Sequence, residues 1–153
     1  MSLQVEPSSV AAIMSAPNFP ALIEEYAAES AIDGMPPPLA KMEQYQNLEG
    51  AGFLHALVAI ADGEMLGFMS VLAAPLLHYG RTVAVSESFF VAKDKRCTMA
   101  GLKLLVAAEA LTLKIGSPGL LVSAPYGSRL ADLLPKCGYT LTNSVFFKKV
   151  GNG

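Results

Sequence analysis

Between Thr82 and Leu105 the chain reads TVAVSESFFVAKDKRCTMAGLKLL, and no other stretch restricts the fold as strongly. An alternating apolar strand ends at Ala92, a short basic loop follows, and a helix begins close to Gly101. A strand that feeds straight into a helix belongs to a layered α/β arrangement, because the helix packs back on the sheet it leaves. A helix start also offers unpaired N–H groups and a partial positive charge, so a basic loop at that point suits an anion. The same residues suit an ordinary turn whose bases face solvent. On the loop alone both readings stand.

The flanking patterns extend this arrangement. Pro17-Asn18-Phe19-Pro20 opens a helix on which Leu22, Ile23, Tyr26 and Ala27 recur at helical spacing, with Glu24, Glu25 and Glu29 on the other side. Gly34-Met35-Pro36-Pro37-Pro38 ends it, since proline cannot continue a helix, and Leu39–Leu48 reads as a second short helix closed by Gly50 and Gly52. Phe53–Ala61 is an apolar strand, Asp62-Gly63 is a hairpin signal, and Met65–Ala74 is the return strand, stopped by Pro75. A looser connection holds His78, Tyr79 and Gly80. The strand Thr82–Ala92 then carries Val83, Val85, Glu87, Phe89 and Val91 on one side and Ser86, Ser88 and Phe90 on the other.

The helix from about Thr98 to Ile115 presents Leu102, Leu105, Val106, Ala110 and Leu113 as its apolar face, and Gly116-Ser117-Pro118-Gly119 stops it. Leu120–Ala124 reads as a short buried parallel strand, Ser128–Lys136 as a helix with Leu130, Leu133 and Leu134 inward, and Ser144–Val150 as a closing strand. The expectation is a single α/β domain over residues 1–153, with a mixed sheet, an antiparallel meander followed by a βαβ crossover, and helices on both faces.

Half of the 153 residues are hydrophobic (52%), which excludes a disordered chain, yet no uninterrupted apolar run reaches the ~18–20 residues of a membrane span. The first residues lack the basic region and apolar core of a signal peptide, so a cytoplasmic protein is expected. Two cysteines, Cys97 and Cys137, are too few for a disulfide framework, and no Cys/His spacing suggests a metal. Cys97 beside Arg96 is either a thiol activated near a helix start or an ordinary reduced cysteine. Charge divides unevenly: residues 1–92 set Lys41 and Arg81 against ten acids, a net of −8, while residues 93–153 set nine bases against Asp94, Glu109 and Asp132, a net of +6. A basic half can draw a polyanionic ligand and an acidic half a cationic one; solvated surface is the plain alternative.

The element order, together with several local signatures, resembles the GNAT family of acetyl-CoA-dependent N-acetyltransferases. Arg96-Cys97-Thr98-Met99-Ala100-Gly101 occupies the place of the family's Gln/Arg-x-x-Gly-x-Gly/Ala motif, with Met99 where its first glycine stands. Leu133-Leu134-Pro135-Lys136-Cys137-Gly138-Tyr139 resembles the "L-Y-x-K-x-G-F" ending, with Leu134 in the place of the tyrosine, and Phe147-Lys148-Lys149-Val150 resembles the final "Y-x-K-x-L" strand. The wording Ala100–Leu105 and Ala107–Ala110 is similar to small GNAT-like proteins of phage and prophage genomes. The resemblance covers roughly residues 17–150.

The resemblance implies acetyl-CoA as the cofactor. The backbone of Arg96, Cys97, Thr98, Met99, Ala100 and Gly101 would cradle its pyrophosphate, with Lys93, Lys95 and Arg96 adding charge. The backbone of Phe89, Phe90 and Val91 would hydrogen-bond the pantetheine arm. Glu87 matches the strand glutamate that serves some members as general base, and burial among Phe89 and Val91 would raise its pKa; a satisfied edge carboxylate bonded to a neighbouring serine is the alternative. With leucine at 134, Tyr126 is a candidate proton donor to the departing thiolate, or else a loop tyrosine. His78 and Tyr79 line an acceptor pocket, with His78 able to relay a proton, or form an exposed loop pair.

The expected activity is direct acetyl transfer to an amine of a small molecule or a protein. A non-catalytic GNAT-fold binding or interaction module, such as a phage-encoded one, is the alternative. A homodimer is compatible with the resemblance. Nucleic acid is not an expected partner, because aromatic residues are not interleaved with Lys93, Lys95, Arg96, Lys148 and Lys149.

Overall fold

A computed structural model describes residues 2–153. The elements in chain order are β1 (Leu3–Ser8), α1 (Val10–Ser15), α2 (Phe19–Ser30), α3 (Met42–Gly50), β2 (Leu54–Ala61), β3 (Glu64–Leu76), β4 (Arg81–Val91), α4 (Ala100–Ile115), β5 (Leu120–Leu121) and α5 (Arg129–Lys136). One five-stranded sheet runs in the order β1-β2-β3-β4-β5, antiparallel from β1 to β4 and parallel between β4 and β5.

The hairpin between β2 and β3 turns on Asp62 (φ 51°) and Gly63 (φ 78°), the pair of positive φ values that suits the twist of adjoining strands. Two hydrophobic layers sandwich the sheet. Leu57, Leu66, Met69, Val71 and Ala84 face α4, where Ala100, Leu104 and Ala108 complete the layer. Val58, Met65, Phe68 and Phe90 face α2, meeting Leu22 and the Tyr26 ring, which stacks on Phe90 at 5.2 Å.

Several expectations are corrected. β1 and α1 precede the first expected helix; the sequence of β1, LQVEPS, contains a proline, which an edge strand tolerates. β3 continues through Pro75 to Leu76, again near a strand end, where Pro75 lies opposite Thr82. The buried stripe of α4 is Ala100, Leu104, Leu105, Ala108 and Thr112, whereas Val106 and Leu113 are exposed. A helix apolar on almost every side carries no periodic signal to choose its face. β5 is shorter and less buried than expected, two residues with Leu121 exposed. No strand forms over Ser144–Val150: the chain from Tyr139 onward is without regular structure, and Phe147 and Lys149 lie against Gly34 in the α2–α3 connection.

Among the described residues, no helix is long and apolar enough to cross a membrane, and no three His, Cys, Asp or Glu side chains gather as a metal site.

Candidate active site

The site begins with an irregularity in the β3–β4 ladder. Ser70 lies opposite Ser88, but the next residue of β3, Val71, lies opposite Ser86, so Glu87 is an extra residue on β4. A bulge of this kind turns two successive side chains toward the same face. Glu87 and Ser88 both reach Ser70, which lies on the opposite face of β3 from the core residues Met69 and Val71. The alternation expected from the sequence is therefore broken: Phe89 and Val91 pack toward α4, while Glu87 points to the α2–α3 side and is exposed rather than buried.

Both carboxylate oxygens of Glu87 are engaged. The Tyr45 hydroxyl donates to Oε1 at 2.7 Å, and the Ser70 hydroxyl donates to Oε2 at 2.9 Å. Ser70 and Ser88 hydroxyls are 2.6 Å apart. Since Ser70 has one hydroxyl proton and directs it to Glu87, Ser88 is the donor in that second bond. Burial first, then the hydrogen bond to Glu87, pushes the Tyr45 phenol well above its ordinary value. Tyr26 is also raised, by burial first; a bond from the Phe89 backbone opposes the shift and the Glu87 charge adds to it. At neutral pH both phenols are neutral, and Tyr45 is a donor.

The second part of the site is the gap between β4 and β5. These strands pair only at Ala84–Leu120 and Val85–Leu121. Beyond that point one side-chain bond, Ser123 N–H to Ser86 Oγ at 3.0 Å, spans them, and from Glu87 onward β4 has no neighbour on this side in the sheet. The divergence starts beside Glu87 and leads to the loop that enters α4.

That loop is built by short bonds. Ala92 N–H donates to Leu66 O, Lys95 N–H to Ala92 O, and Thr98 N–H and Oγ1 both donate to Lys95 O. Thr98 Oγ1 then accepts from Ala100 N–H at 3.2 Å, and α4 starts at Ala100. Gly101 lies inside the first turn of α4 and does not adopt a positive φ, contrary to the conformational role expected of it; the nearest atom to an added Cβ is Val91 Cγ2 at 3.7 Å. Met99 is exposed, so its side chain does not fill the loop, and Cys97 is an exposed free thiol.

Arg96 turns inward to the fold. Its Nε donates to Val91 O at 2.9 Å, its Nη2 to Glu29 at 2.6 Å, and its guanidinium carbon stands 5.4 Å from the Phe90 ring centroid. Glu25 accepts from Lys93 N–H at 3.2 Å. Part of the uneven charge distribution is thus spent in joining acidic α2 to the basic loop.

The remaining candidates stand apart. Tyr126 is fully exposed in the turn after β5. His78 and Tyr79 pack edge-to-face at 5.3 Å in the β3–β4 hairpin turn. Glu87 is six residues beyond Arg81, roughly 20 Å along the strand, so the hairpin pair is not brought to the carboxylate. Leu134 is buried in α5. Two cavities, of about 460 and 380 Å³, lie elsewhere: one between β1–β2 and the C-terminal half of α4, the other between α1 and the β2–β3 hairpin. Neither is lined by Glu87 or the loop. Sequence patterning marks Tyr26 only as an apolar position of α2, and marks neither Tyr45 nor Ser70 as part of a site. Ser70 had a signal, as the lone polar residue in the apolar run Met65–Ala74; Tyr45 had none, because its contact spans 42 residues.

An antiparallel meander, a bulged β4, a parallel β5 that diverges from it and a crossover helix between them settle the architecture. The fold is that of the GNAT N-acetyltransferases. GNAT structures match the chain along its whole length. Ribosomal-protein-alanine N-acetyltransferase from Brucella melitensis biovar Abortus superposes with a TM-score of 0.73 at 16% identity, covering 98% of this chain and 100% of the other. An aminoglycoside acetyltransferase, HMB0005, from an uncultured soil metagenomic sample gives 0.72 at 20%, covering 99% and 100%. Glucosamine-6-phosphate N-acetyltransferase from Arabidopsis thaliana gives 0.71 at 12%, covering 97% and 98%. No protein-family model matches the sequence, and no curated protein sequence matches it. At these identities the GNAT likeness is one of fold.

Proposed function

We propose that the chain is an N-acetyltransferase that uses acetyl-CoA and delivers the acetyl group directly to an amine. The observation that carries this reading is the placement of Glu87, an exposed, doubly hydrogen-bonded carboxylate at the point where β4 and β5 separate. The residues present suit the cofactor. The outer edge of β4 from Glu87 to Val91 is unpaired by any strand, which leaves the Phe89 carbonyl for the pantetheine arm, its N–H being directed to Tyr26; the Val91 carbonyl already accepts from Arg96, and Phe90 contributes through packing. In the turn Arg96–Gly101 at the start of α4, the N–H groups of Cys97, Met99 and Gly101 would hold the pyrophosphate, since those of Thr98 and Ala100 already donate within the loop; the charges of Lys93 and Lys95 would help.

Acetyl-CoA supplies the acetyl group as an activated thioester. Glu87 accepts a proton from the incoming amine through a carboxylate oxygen. The names of the similar structures range over a ribosomal-protein alanine, an aminoglycoside and glucosamine-6-phosphate, so the acceptor is proposed only as an amine of a small molecule or a protein. Binding without transfer is the second reading, favoured by Leu134 in the tyrosine's place and by Tyr126 being fully exposed to solvent.

Isothermal titration with acetyl-CoA tests the cofactor. Absence of binding at millimolar ligand would sink both readings. Where acetyl-CoA binds, Glu87→Gln is expected to lower turnover on an amine panel while leaving cofactor affinity nearly unchanged. Equal loss of both would assign Glu87 a structural role, and binding with no transfer to any amine would favour the second reading.

A further inference from the structure

We propose that Tyr45 and Ser70 are positioning residues for Glu87, holding its carboxylate in one orientation from two elements on either side of the bulge. This rests on the reading of Glu87 as the general base. A glutamate on an exposed strand face has three free torsions, and nothing in β4 itself would choose among its rotamers. Here the choice is made by two O–H donors on different oxygens, Tyr45 at 2.7 Å from α3 and Ser70 at 2.9 Å from β3. Two anchors on two atoms fix the plane of the carboxylate as well as its position. Each oxygen keeps a further lone pair for an amine.

The two donors differ in how they are themselves held. Ser70 is buried, and its oxygen accepts from Ser88, so its hydrogen has one direction to point. Tyr45 is only half-buried and belongs to a helix none of whose residues is buried. Outside Tyr45, the side-chain bond that ties α3 to the rest of the fold is Val10 N–H to Glu49 Oε2 at 2.9 Å. α3 therefore brings a phenol to β4 without burying a core side chain, and the phenol's hydroxyl goes to the carboxylate.

The groups facing Glu87 are few. α2 contributes Tyr26, α3 contributes Tyr45, β3 contributes Ser70 and β4 contributes Ser88. Among the described residues no lysine, arginine or histidine forms an ion pair with it. The two hydrogen bonds are thus what orients the carboxylate, and removing one donor frees it to rotate.

Tyr45→Phe isolates the effect, since it deletes one oxygen at a half-buried site and keeps the ring. In Tyr45→Phe, kcat on an amine substrate is expected to fall about tenfold, with the KM for acetyl-CoA unchanged. Ser70→Ala should lower kcat in the same way, although it also strands the buried Ser88 hydroxyl. A kcat that stays at the parent value in Tyr45→Phe overturns the positioning role. A kcat that falls while Glu87→Gln keeps full turnover overturns the base assignment instead, and with it the catalytic meaning of the two donors.

Discussion

At the scale of single residues, the loop rests on a close approach between two strands. Gly67 on β3 lies opposite Val91, and a Cβ built there would stand 2.4 Å from the Phe90 carbonyl oxygen and 3.0 Å from Val91 Cα. Backbone cannot swing aside as a side chain can. Gly67→Ala is therefore expected to lose about 3 kcal/mol of stability, at the upper end of ordinary overpacking, and to weaken acetyl-CoA binding by displacing the end of β4. Urea unfolding and calorimetric titration measure the two effects; a variant as stable as the parent would show that the strands can part without cost. The residue scale also shows where sequence reading stops. Glu87 could be chosen from SESFFV because a lone acid in an apolar strand stands out, but its direction could not. Alternation assumes that every residue has a partner, and a bulge has no marker in the strand that carries it.

Elements meet the loop through charge. α2 reaches it by Glu29 to Arg96 and by Glu25 to the Lys93 amide, while Asn18, just before α2, holds the Met65 carbonyl at 2.7 Å. The Arg96–Glu29 pair is mostly shielded, with 27% and 29% of the side chains exposed. A double-mutant cycle with Arg96→Met and Glu29→Gln is expected to give a coupling of about 1 kcal/mol, above most surface pairs and below a fully buried one. Additive single effects would reduce the pair to a bystander. α2 and α3 share a second property, a phenol whose proton is held more tightly in the folded chain. Tyr139, whose buried hydroxyl has no hydrogen-bond partner, behaves likewise, through burial first and the Glu109 charge second. A raised phenol pKa means that the unfolded chain releases its protons first as pH rises. This contribution to stability is complete below about pH 10, the ordinary tyrosine value, and is lost progressively above it. Urea midpoints at pH 8 and pH 11 should differ less in Tyr45→Phe than in the parent. The elements themselves were mostly legible: α2, α3, the three long strands, α4 and α5 follow from periodicity and from punctuation such as Asp62-Gly63. β1 was not, because LQVEPS becomes a strand only through its register with β2.

For the whole molecule the feature that composition misread is the C-terminal stretch. Residues 144–150 have strand-forming side chains, yet pairing needs an edge, and the chain places this segment against Gly34 instead. Leu141, Val145, Phe146 and Val150 are each at least 84% exposed. Apolar surface of this kind is uncommon on a lone soluble chain and promotes association. Removal of residues 140–153 is expected to change the melting temperature by only about 2 °C, as for other changes confined to the surface, and to reduce concentration-dependent association in sedimentation velocity. A large fall in melting temperature would mean that the contact of Phe147 and Lys149 with the Gly34 region carries stability.

The extra residue at Glu87 has a consequence for how such a chain can change over time. The direction of each half of β4 depends on a count of residues and hardly on their identity. Substitutions along the strand can accumulate while the carboxylate keeps its place. Loss of a single codon between Val83 and Glu87 would instead close the bulge: both halves could keep their partners on β3, but Glu87 would then stand opposite Val71, its carboxylate turned into the apolar layer that faces α4. Lineages sharing this site are expected to differ freely in spelling along β4 and hardly at all in its length.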